Sequence, residues 1–316
     1  VSDRSKLLVM LFIALVFAVL FLGKGLTVDN YHYFLSRRFP KVLAMILAGI
    51  AVAQASLVFQ TVTHNRILTP SILGFDNLYL LTQTLIVVGF GTVSHLVLNV
   101  YLNFTLSAVV MVLFSIALFG FYFQRGERNL ITLLLVGLIL GQLFANVAAF
   151  FMMIMDPNDF ATVQASMFAS FNHVDGGLVL FVTPMLLLAT FLLLRMSRVL
   201  DVFWLDRDNA VSLGIDVDRV TKRVLLYSAL LVAISTALVG PIMFFGLLVT
   251  NLAREIFRTY RHTILLPGCA LFAVCALLVG QWMVENVLAF QTTLSVIINF
   301  IGGVYFISML LRNRIV

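Results

Sequence analysis

Long apolar blocks run through this chain, parted by short polar segments. A helix needs about 20 apolar residues to cross a bilayer, and about 17 suffice. Ten blocks reach or approach that length: Leu7–Gly23, Val42–Val62, Leu78–Gly89, Leu102–Phe123, Leu130–Met155, Leu178–Leu194, Val224–Val239, Ile242–Phe257, Leu265–Glu285 and Leu294–Leu311. The third is short. It either extends toward Ser94 or is partly shielded by protein, as broken transporter helices are. The stretch from Val224 to Ala253 carries no charge. It is one span kinked at Pro241 or two short ones, and the basic residues decide. With two spans both termini are cytoplasmic, and 16 of the 20 Lys and Arg fall inside. Only Lys24, Arg37, Arg38 and Lys41 remain outside. With one span the split becomes 11 to 9. The positive-inside bias favours two. The pattern predicts an all-α, polytopic membrane protein of about ten helices.

Composition agrees. Hydrophobic residues make up 62% of the 316 residues, charged residues 11%, and mean hydropathy is +1.09. A soluble domain is nearer half apolar and a quarter charged, so lipid must cover much of this surface. No Pro/Ser linker, long charge run or low-complexity tract divides the chain, which reads as one transmembrane domain over 1–316. The net charge of +6 does not imply nucleic acid, because the basic residues sit in short loops where topology accounts for them. The N-terminal apolar run has no small-residue cleavage signature after it and reads as a retained span. Cys269 and Cys275 lie six apart in one span and point in different directions. That predicts neither a disulfide nor a metal site.

The spans hold almost no ionisable groups. Of fourteen acidic residues, only Glu285 falls within or at the edge of a long apolar run. Ion-coupled transporters usually carry buried carboxylates or His relays at mid-membrane, and the sequence places none there. His95 falls in a turn after the third span, and His32, His64, His173 and His262 fall in loops. There is no nucleophile–base pair, HExxH, Cys/His cluster or GxxxxGK[ST]. No catalytic residue is expected, and a membrane-embedded enzyme finds no constellation to support it.

Neutral polar side chains do occur: Gln54 and Gln60 on the second span, Gln142 and Asn146 on the fifth, Asn299 on the tenth. Residue by residue, such groups more often glue helices together. Gln142 and Asn146 share a helix face, which suits a polar translocation pathway equally well. Gly137-x-x-x-Gly141 and Gly49-x-x-x-Ala53 favour close helix packing.

Arg195 to Arg223 is the longest cytoplasmic loop. Asp206 or Asp208 can cap a short helix there, Ala210, Val211 and Leu213 give it an apolar side, and Gly214 can end it. Such a helix lies on lipid headgroups or docks into a groove of a soluble partner. On composition the two readings stand level.

Several segments, in order and at the right spacing, resemble the FecCD-like permeases of bacterial ABC importers for iron–siderophore complexes, haem and cobalamin. RRFPKVLAMILAGIAVAQASLVFQTVTHNRILTPSILGF (Arg37–Phe75) is similar to that family's basic-Pro-basic start of the second helix and the stretch after it. LLLVGLILG (Leu133–Gly141) is similar to its fifth helix, NAVSLGI (Asn209–Ile215) to its coupling helix, and GPIMFFGLLVTNLARE (Gly240–Glu255) to its "G.I.FvGL…R" stretch. The chain departs from the family at Thr250-Asn251, where Pro-His is common. It departs again at GQWMVEN (Gly280–Asn286), where an Asp and an Arg are common, and at Gly302-Gly303-Val304. This set resembles one permease of the two-permease systems for catecholate-type siderophores of the petrobactin, vibriobactin and anguibactin kind.

The resemblance implies a cobalamin-importer-like bundle in the bacterial inner membrane, forming half of a heterodimer with a second permease. A periplasmic or lipoprotein binding protein delivers ferric siderophore, and two cytoplasmic ATPase subunits use ATP and Mg. This chain binds no cofactor itself and does no bond chemistry. Asp206, Asp208, Ala210, Leu213 and Gly214 become the ATPase contact. Arg37, Arg38 and Lys41 become the surface receiving acidic side chains of the binding protein, although snorkelling at a helix start explains Lys41 about as well. Gln142, Asn146 and Asn299 become pathway candidates. Haem or cobalamin as cargo is the near alternative, and an ion-coupled secondary transporter the distant one. The charge split predicts that cysteines placed near Arg128 and Arg258 react only with reagent from the cytoplasmic side. Periplasmic labelling near Arg258 would remove the eighth span.

Overall fold

A computed structural model of the chain describes residues 3–25, 27, 31–124, 130–172, 174–203, 207–290 and 292–311. Arg125, Arg128, His173, Asp206, Arg312 and Arg314 lie outside the described residues. The helices follow in the order α1 (Asp3–Gly23), α2 (Tyr31–Val62), a 3-10 helix (Pro70–Leu73), α3 (Phe75–Phe90), α4 (His95–Leu98), α5 (Val100–Gln124), α6 (Leu130–Ile154), α7 (Pro157–Ser166), α8 (Gly176–Arg195), α9 (Ser197–Val202), α10 (Arg207–Ser212), α11 (Val217–Val239), α12 (Phe245–Phe257), α13 (His262–Asn286) and α14 (Leu294–Leu311). No strand occurs among the described residues. Each of the ten apolar blocks coincides with a helix, and eight of those helices are long and apolar enough to cross a membrane.

Helix α2 is the axis of the bundle. It packs on α11 and α13 along their length and touches α1, α8 and α12 as well. Its sequence permits this because small residues recur on it. A Cβ added to Gly49 would stand only 3.2–3.4 Å from Leu277, Val274 and Ala273 of α13, and Ala44, Ala48, Ala51, Ala53 and Ala55 are fully buried. The cysteines of α13 turn to different neighbours, Cys269 Sγ toward the Ala53 carbonyl of α2 and Cys275 Sγ toward Met10 of α1. At the periphery, α1, α6 and α14 bury little and expose Leu, Ile, Val and Phe, as lipid-facing or subunit-facing helices do.

Side-chain contacts fix the helix directions. At one end, Lys6 Nζ donates to the Ile256 carbonyl, and Thr61 meets His262. This lower end therefore holds the start of α1, the ends of α2 and α12, the start of α13, and α10. At the other, upper end Arg38 donates to the Leu22 and Lys24 carbonyls, Lys41 pairs with Glu285, and Ser295 Oγ donates to Ala169 O. The N-terminal end of α1 and the C-terminal end of α14 are both at the lower end. So is the C-terminal end of α12, so the uncharged Val224–Ala253 stretch goes up and comes back.

Two helices are too short to cross the whole bundle. At 1.5 Å per residue α3 is about 24 Å long and α12 about 20 Å, against a hydrocarbon core of about 30 Å. Helix α2 ends at the lower end, and the chain then turns back into the bundle. Leu73 and Gly74 lie against Gly137 and Gly141, at the middle of α6, and α3 rises from there. In mirror fashion α11 ends at the upper end, and the chain descends through Gly240–Phe244 to start α12 at mid-depth. There Phe244 faces Gly302 of α14, and Gly246 faces Ser56 of α2. A long helix, a break and a half helix thus occur twice with opposite direction, the geometry of an inverted repeat.

Of the two readings of the third block, the structure agrees with the short, protein-shielded helix, with shifted bounds. It neither extends toward Ser94 nor begins at Leu78. It ends at Gly91 (φ 77°), and it starts at Phe75 because Gly74 (φ 88°) closes the 3-10 helix and caps α3. Asp76 consequently falls inside the bundle, buried in the first turn of α3. Glu285 is therefore not the only acidic residue among the spans. The second block also grows: α2 begins at Tyr31, nine residues before Pro40, so Pro40 lies within the helix and not at its start.

Two glycines separate backbone strain from packing. Gly74 and Gly91 both have positive φ, but a Cβ at Gly74 would stand 2.6 Å from Gly141 Cα, while one at Gly91 meets nothing within 4 Å. Gly91→Ala should cost about 1–3 kcal/mol from conformation alone, because φ 77° with ψ 160° is a backbone region open essentially to glycine. Gly74→Ala should add about 1–3 kcal/mol of overpacking. Thermal melts of the two purified variants in the same detergent would check the difference.

Candidate functional site

The lower end carries the longest polar loop. Helix α10 ends in a Schellman turn: Gly214 (φ 80°) sends its N–H to Val211 O, and the next N–H, of Ile215, goes back to Ala210 O. The turn divides the apolar residues. Ala210 is 1% exposed and seats the helix, whereas Val211 and Leu213 are 56% and 63% exposed and project from the tip. Ala210 therefore supports the surface and does not belong to it. The helix begins at Arg207, so a cap at Asp206 lies outside the described residues, and Asp208 falls inside the helix.

Just upstream, α9 packs on α13, α2 and α8. Its Asp201 reaches the first residue of α13. Asp201 Oδ1 accepts from the His262 backbone N–H at 2.6 Å and lies 2.8 Å from His262 Nδ1. His262 Nε2 lies 2.9 Å from Thr61 Oγ1. His262 was expected in a loop; it is fully buried. The sequence signal is its position one residue before the apolar run ILLPGCALF, which starts at Ile264.

Three more side chains bind the lower end together. Gln60 donates to Thr250 Oγ1 and to Arg66 O, and Asn251 donates to the same Arg66 carbonyl. The Thr250-Asn251 pair, a departure from the family pattern, thus clamps the returning chain to α2 and α12. Beside it a cavity of about 520 Å³ opens between α12 and α14, lined by Arg66, Arg254, Arg258, Tyr260 and Tyr305 among others.

At the upper end the three basic candidates have different surroundings. Arg37 is exposed and lies over the Tyr33 ring at 4.8 Å. Arg38 lies over Phe34 at 4.7 Å while capping the end of α1. Lys41 pairs with Glu285 and donates to Asn172 Oδ1 at 2.6 Å, and Gln281 joins both partners. With side chains only 13% and 20% exposed, Lys41 and Glu285 form a closed pair. Of the three, Arg37 presents its charge most openly.

The pathway candidates do not converge. Gln142 and Asn146 are exposed on α6 and point away from the chain's own core. Amides facing lipid are costly, so this stripe requires water or a partner subunit. Asn299, on α14, is half-buried, and its Oδ1 has no hydrogen-bond partner among the described residues. The interior instead gathers around Asp76. A cavity of about 10 Å³, room for roughly one water, is lined by Ser56, Thr69, Ser71, Asp76, Thr236 and Phe244 among others, where the two half helices start. Sequence reading missed Asp76 because TPSILGFDN has the composition of a surface turn.

The model of the FecCD transport family matches residues 6–312. The petrobactin import system permease protein YclO of Bacillus subtilis (strain 168) is 46% identical over 312 residues, 99% of this chain and 98% of its own. The petrobactin import system permease protein FatC of Bacillus anthracis is 34% identical over 278 residues, 88% of this chain and 78% of its own. A solved structure of a metal-chelate type ABC transporter, in an inward-facing conformation, matches the fold with a TM-score of 0.84 at 24% identity, over 99% of this chain and all of that one. The chain belongs to the FecCD transport family.

Proposed function

We propose that the chain is a permease subunit of an ATP-driven importer that carries a ferric siderophore of the petrobactin kind across the bacterial cytoplasmic membrane. Both termini and α10 lie on the cytoplasmic side. The observation that carries this reading is the 46% identity, over nearly the whole of both chains, to a permease named for petrobactin import. Two ATPase subunits bind below, a siderophore-binding protein docks above, and a second, different permease covers the exposed α6 face with Gln142 and Asn146. Hydrolysis of ATP belongs to the ATPase subunits. This chain contributes two packings whose relative stability the docked partners shift.

Geometry supports the coupling role of α10. Val211 and Leu213 form an apolar tip on an otherwise polar loop, the feature that a groove in a soluble partner takes up. The buried Asp76 removes one sequence argument against an ion-coupled transporter, so energy source must be measured. Proteoliposomes holding the permeases and ATPases, with binding protein outside, should take up ferric petrobactin only with ATP inside. Uptake driven by a proton or sodium gradient without ATP would overturn the reading. Gly214→Val should break the turn below α10 and release the ATPase subunits. A Cβ at this position meets nothing within 4 Å, so the bundle itself stays folded. Co-purification and uptake at the normal level would remove α10 from the interface.

Docking above should depend on Arg37 more than on Lys41. Arg37→Glu should slow association of the binding protein, most at low salt, with an effect of about 1 kcal/mol or less because the charge is exposed. Lys41→Met should instead lower thermal stability, since it strands Glu285. Glu285 also leaves this subunit's upper face less basic, so the second permease supplies the missing charge and docking is asymmetric. Association rates measured against salt, for each variant, check this order. Equal effects of Arg37→Glu and Lys41→Met on association rate would refute it.

A further inference from the structure

We infer that the recess between α12 and α14 at the lower end is a phosphate-binding site, taking the phosphate of an anionic lipid headgroup or of a soluble ion. Which phosphates reach it rests on the cytoplasmic placement of the lower end proposed above. The chemistry of the recess does not.

The recess gathers charge from separate parts of the chain. Arg66 comes from the turn after α2, Arg254 from the last turn of α12, and Arg258 from the residue that ends α12. Among the described residues of the lining, Glu255 alone is acidic. Tyr260, Tyr305 and Ser308 add hydroxyls. Guanidinium forks match the oxygens of a phosphate, and hydroxyls can donate to the same oxygens. The volume of about 520 Å³ falls within the range of small-molecule sites, about 300–1,000 Å³.

The positive-inside tendency accounts for arginines at this end. It does not account for three of them on one recess, where like charges repel and an anion relieves the repulsion. Two of the three are also held in place through their backbones. Gln60 and Asn251 both donate to the Arg66 carbonyl. Arg258 lies in the left-handed region (φ 46°, ψ 36°), with its N–H on the Arg254 carbonyl at 3.0 Å. Glycine or asparagine is the relaxed choice there, yet this turn brings Arg258 and Tyr260 into one lining with Tyr305. At mid-depth Phe244 sits against Gly302, and its ring centroid lies 6.1 Å from that of Phe306. The two helices touch there, and the recess opens below. The same turns of α14 expose Val304, Ile307, Leu310 and Leu311. A basic pocket between membrane helices at the cytoplasmic boundary, edged by an apolar helix surface, has the layout that takes an anionic headgroup.

The test uses the assembled transporter, purified in detergent without phosphate or lipid. Phenylglyoxal modifies arginine side chains, and peptide mass spectrometry reads each position. Arg66 and Arg258 are exposed, so the reagent reaches them. Phosphatidylglycerol in mixed micelles, or inorganic phosphate, should slow their modification about tenfold against phosphatidylcholine or chloride at equal ionic strength. Arg219, exposed at the same end, should react unchanged. Protection by phosphatidylglycerol alone identifies a headgroup, and protection by inorganic phosphate identifies a soluble ion. Arg254→Gln should weaken the protection of Arg66 about tenfold in concentration. Arg258→Gly relaxes the left-handed turn while removing a charge, so it should melt no lower than wild type and still lose protection of Arg66 to the same extent. Equal modification with every additive would overturn the site, even if no variant assembled. So would equal slowing at Arg219, which marks a general surface effect, or protection by ferric petrobactin alone, which assigns the recess to cargo. Orientation is read separately. Periplasmic labelling near Arg258 would refute the cytoplasmic placement but leave this measurement standing, because both ends are open in detergent.

Discussion

Inside a bilayer every backbone N–H and C=O needs an internal partner, and this chain starts two helices halfway across. Each start leaves several N–H groups with no partner in the preceding turn. The rest of the bundle is arranged around that difficulty. Gly74 and Gly137–Gly141 let the returning chain lie directly against α6, and Gly246 and Gly302 do the same for the start of α12. Asp76 sits in the first turn of α3, where a carboxylate faces the positive end of the helix. The hydroxyls of Ser56, Thr69, Ser71 and Thr236 line the same small cavity. The glycines and the buried polar residues are two parts of one solution: close approach excludes lipid from the breaks, and polar side chains replace the water that is missing.

Periodicity and length made the ten membrane helices legible, because burying or exposing twenty apolar residues leaves little freedom. Charge then resolved Val224–Ala253, since Arg254, Arg258 and Arg261 cluster where the chain returns to the lower end. What was not legible shares one cause. His262, Asp201 and Asp76 owe their roles to tertiary placement of residues that look like loop. TPSILGFDN reads as a surface turn, yet Leu73 and Phe75 are fully buried because the loop re-enters the protein. Likewise Ala210, Val211 and Leu213 read as one apolar side, and only the Schellman turn separates the residue facing inward from those facing out.

The two ends of the bundle use charge differently. At the upper end, opposite charges are paired and sheltered: Lys41 with Glu285, under Phe21 and Phe290. Such a pair is costly to break and holds α2 to α13. At the lower end, Arg66, Arg254, Glu255 and Arg258 line an open cavity, and the pairs Lys6–Asp3 and Arg219–Asp216 are more exposed. The contrast explains why the positive-inside rule says little about docking. The rule counts residues, whereas recognition depends on which charges remain exposed.

The polar links at the lower end also define what can move together. Lys6 ties α1 to the last turn of α12; Gln60 and Asn251 tie α2 and α12 to Arg66; Asp201 and His262 tie α9 to α13. These bonds bridge elements that the apolar core already holds at mid-depth. Above them, the two half helices meet across a space for about one water. A small tilt of the lower half would therefore repack that space without stretching a helix. Packed interiors resist gradual deformation and shift between discrete arrangements. The broken helices begin at that space, and the polar links below join the surrounding helix ends to one another.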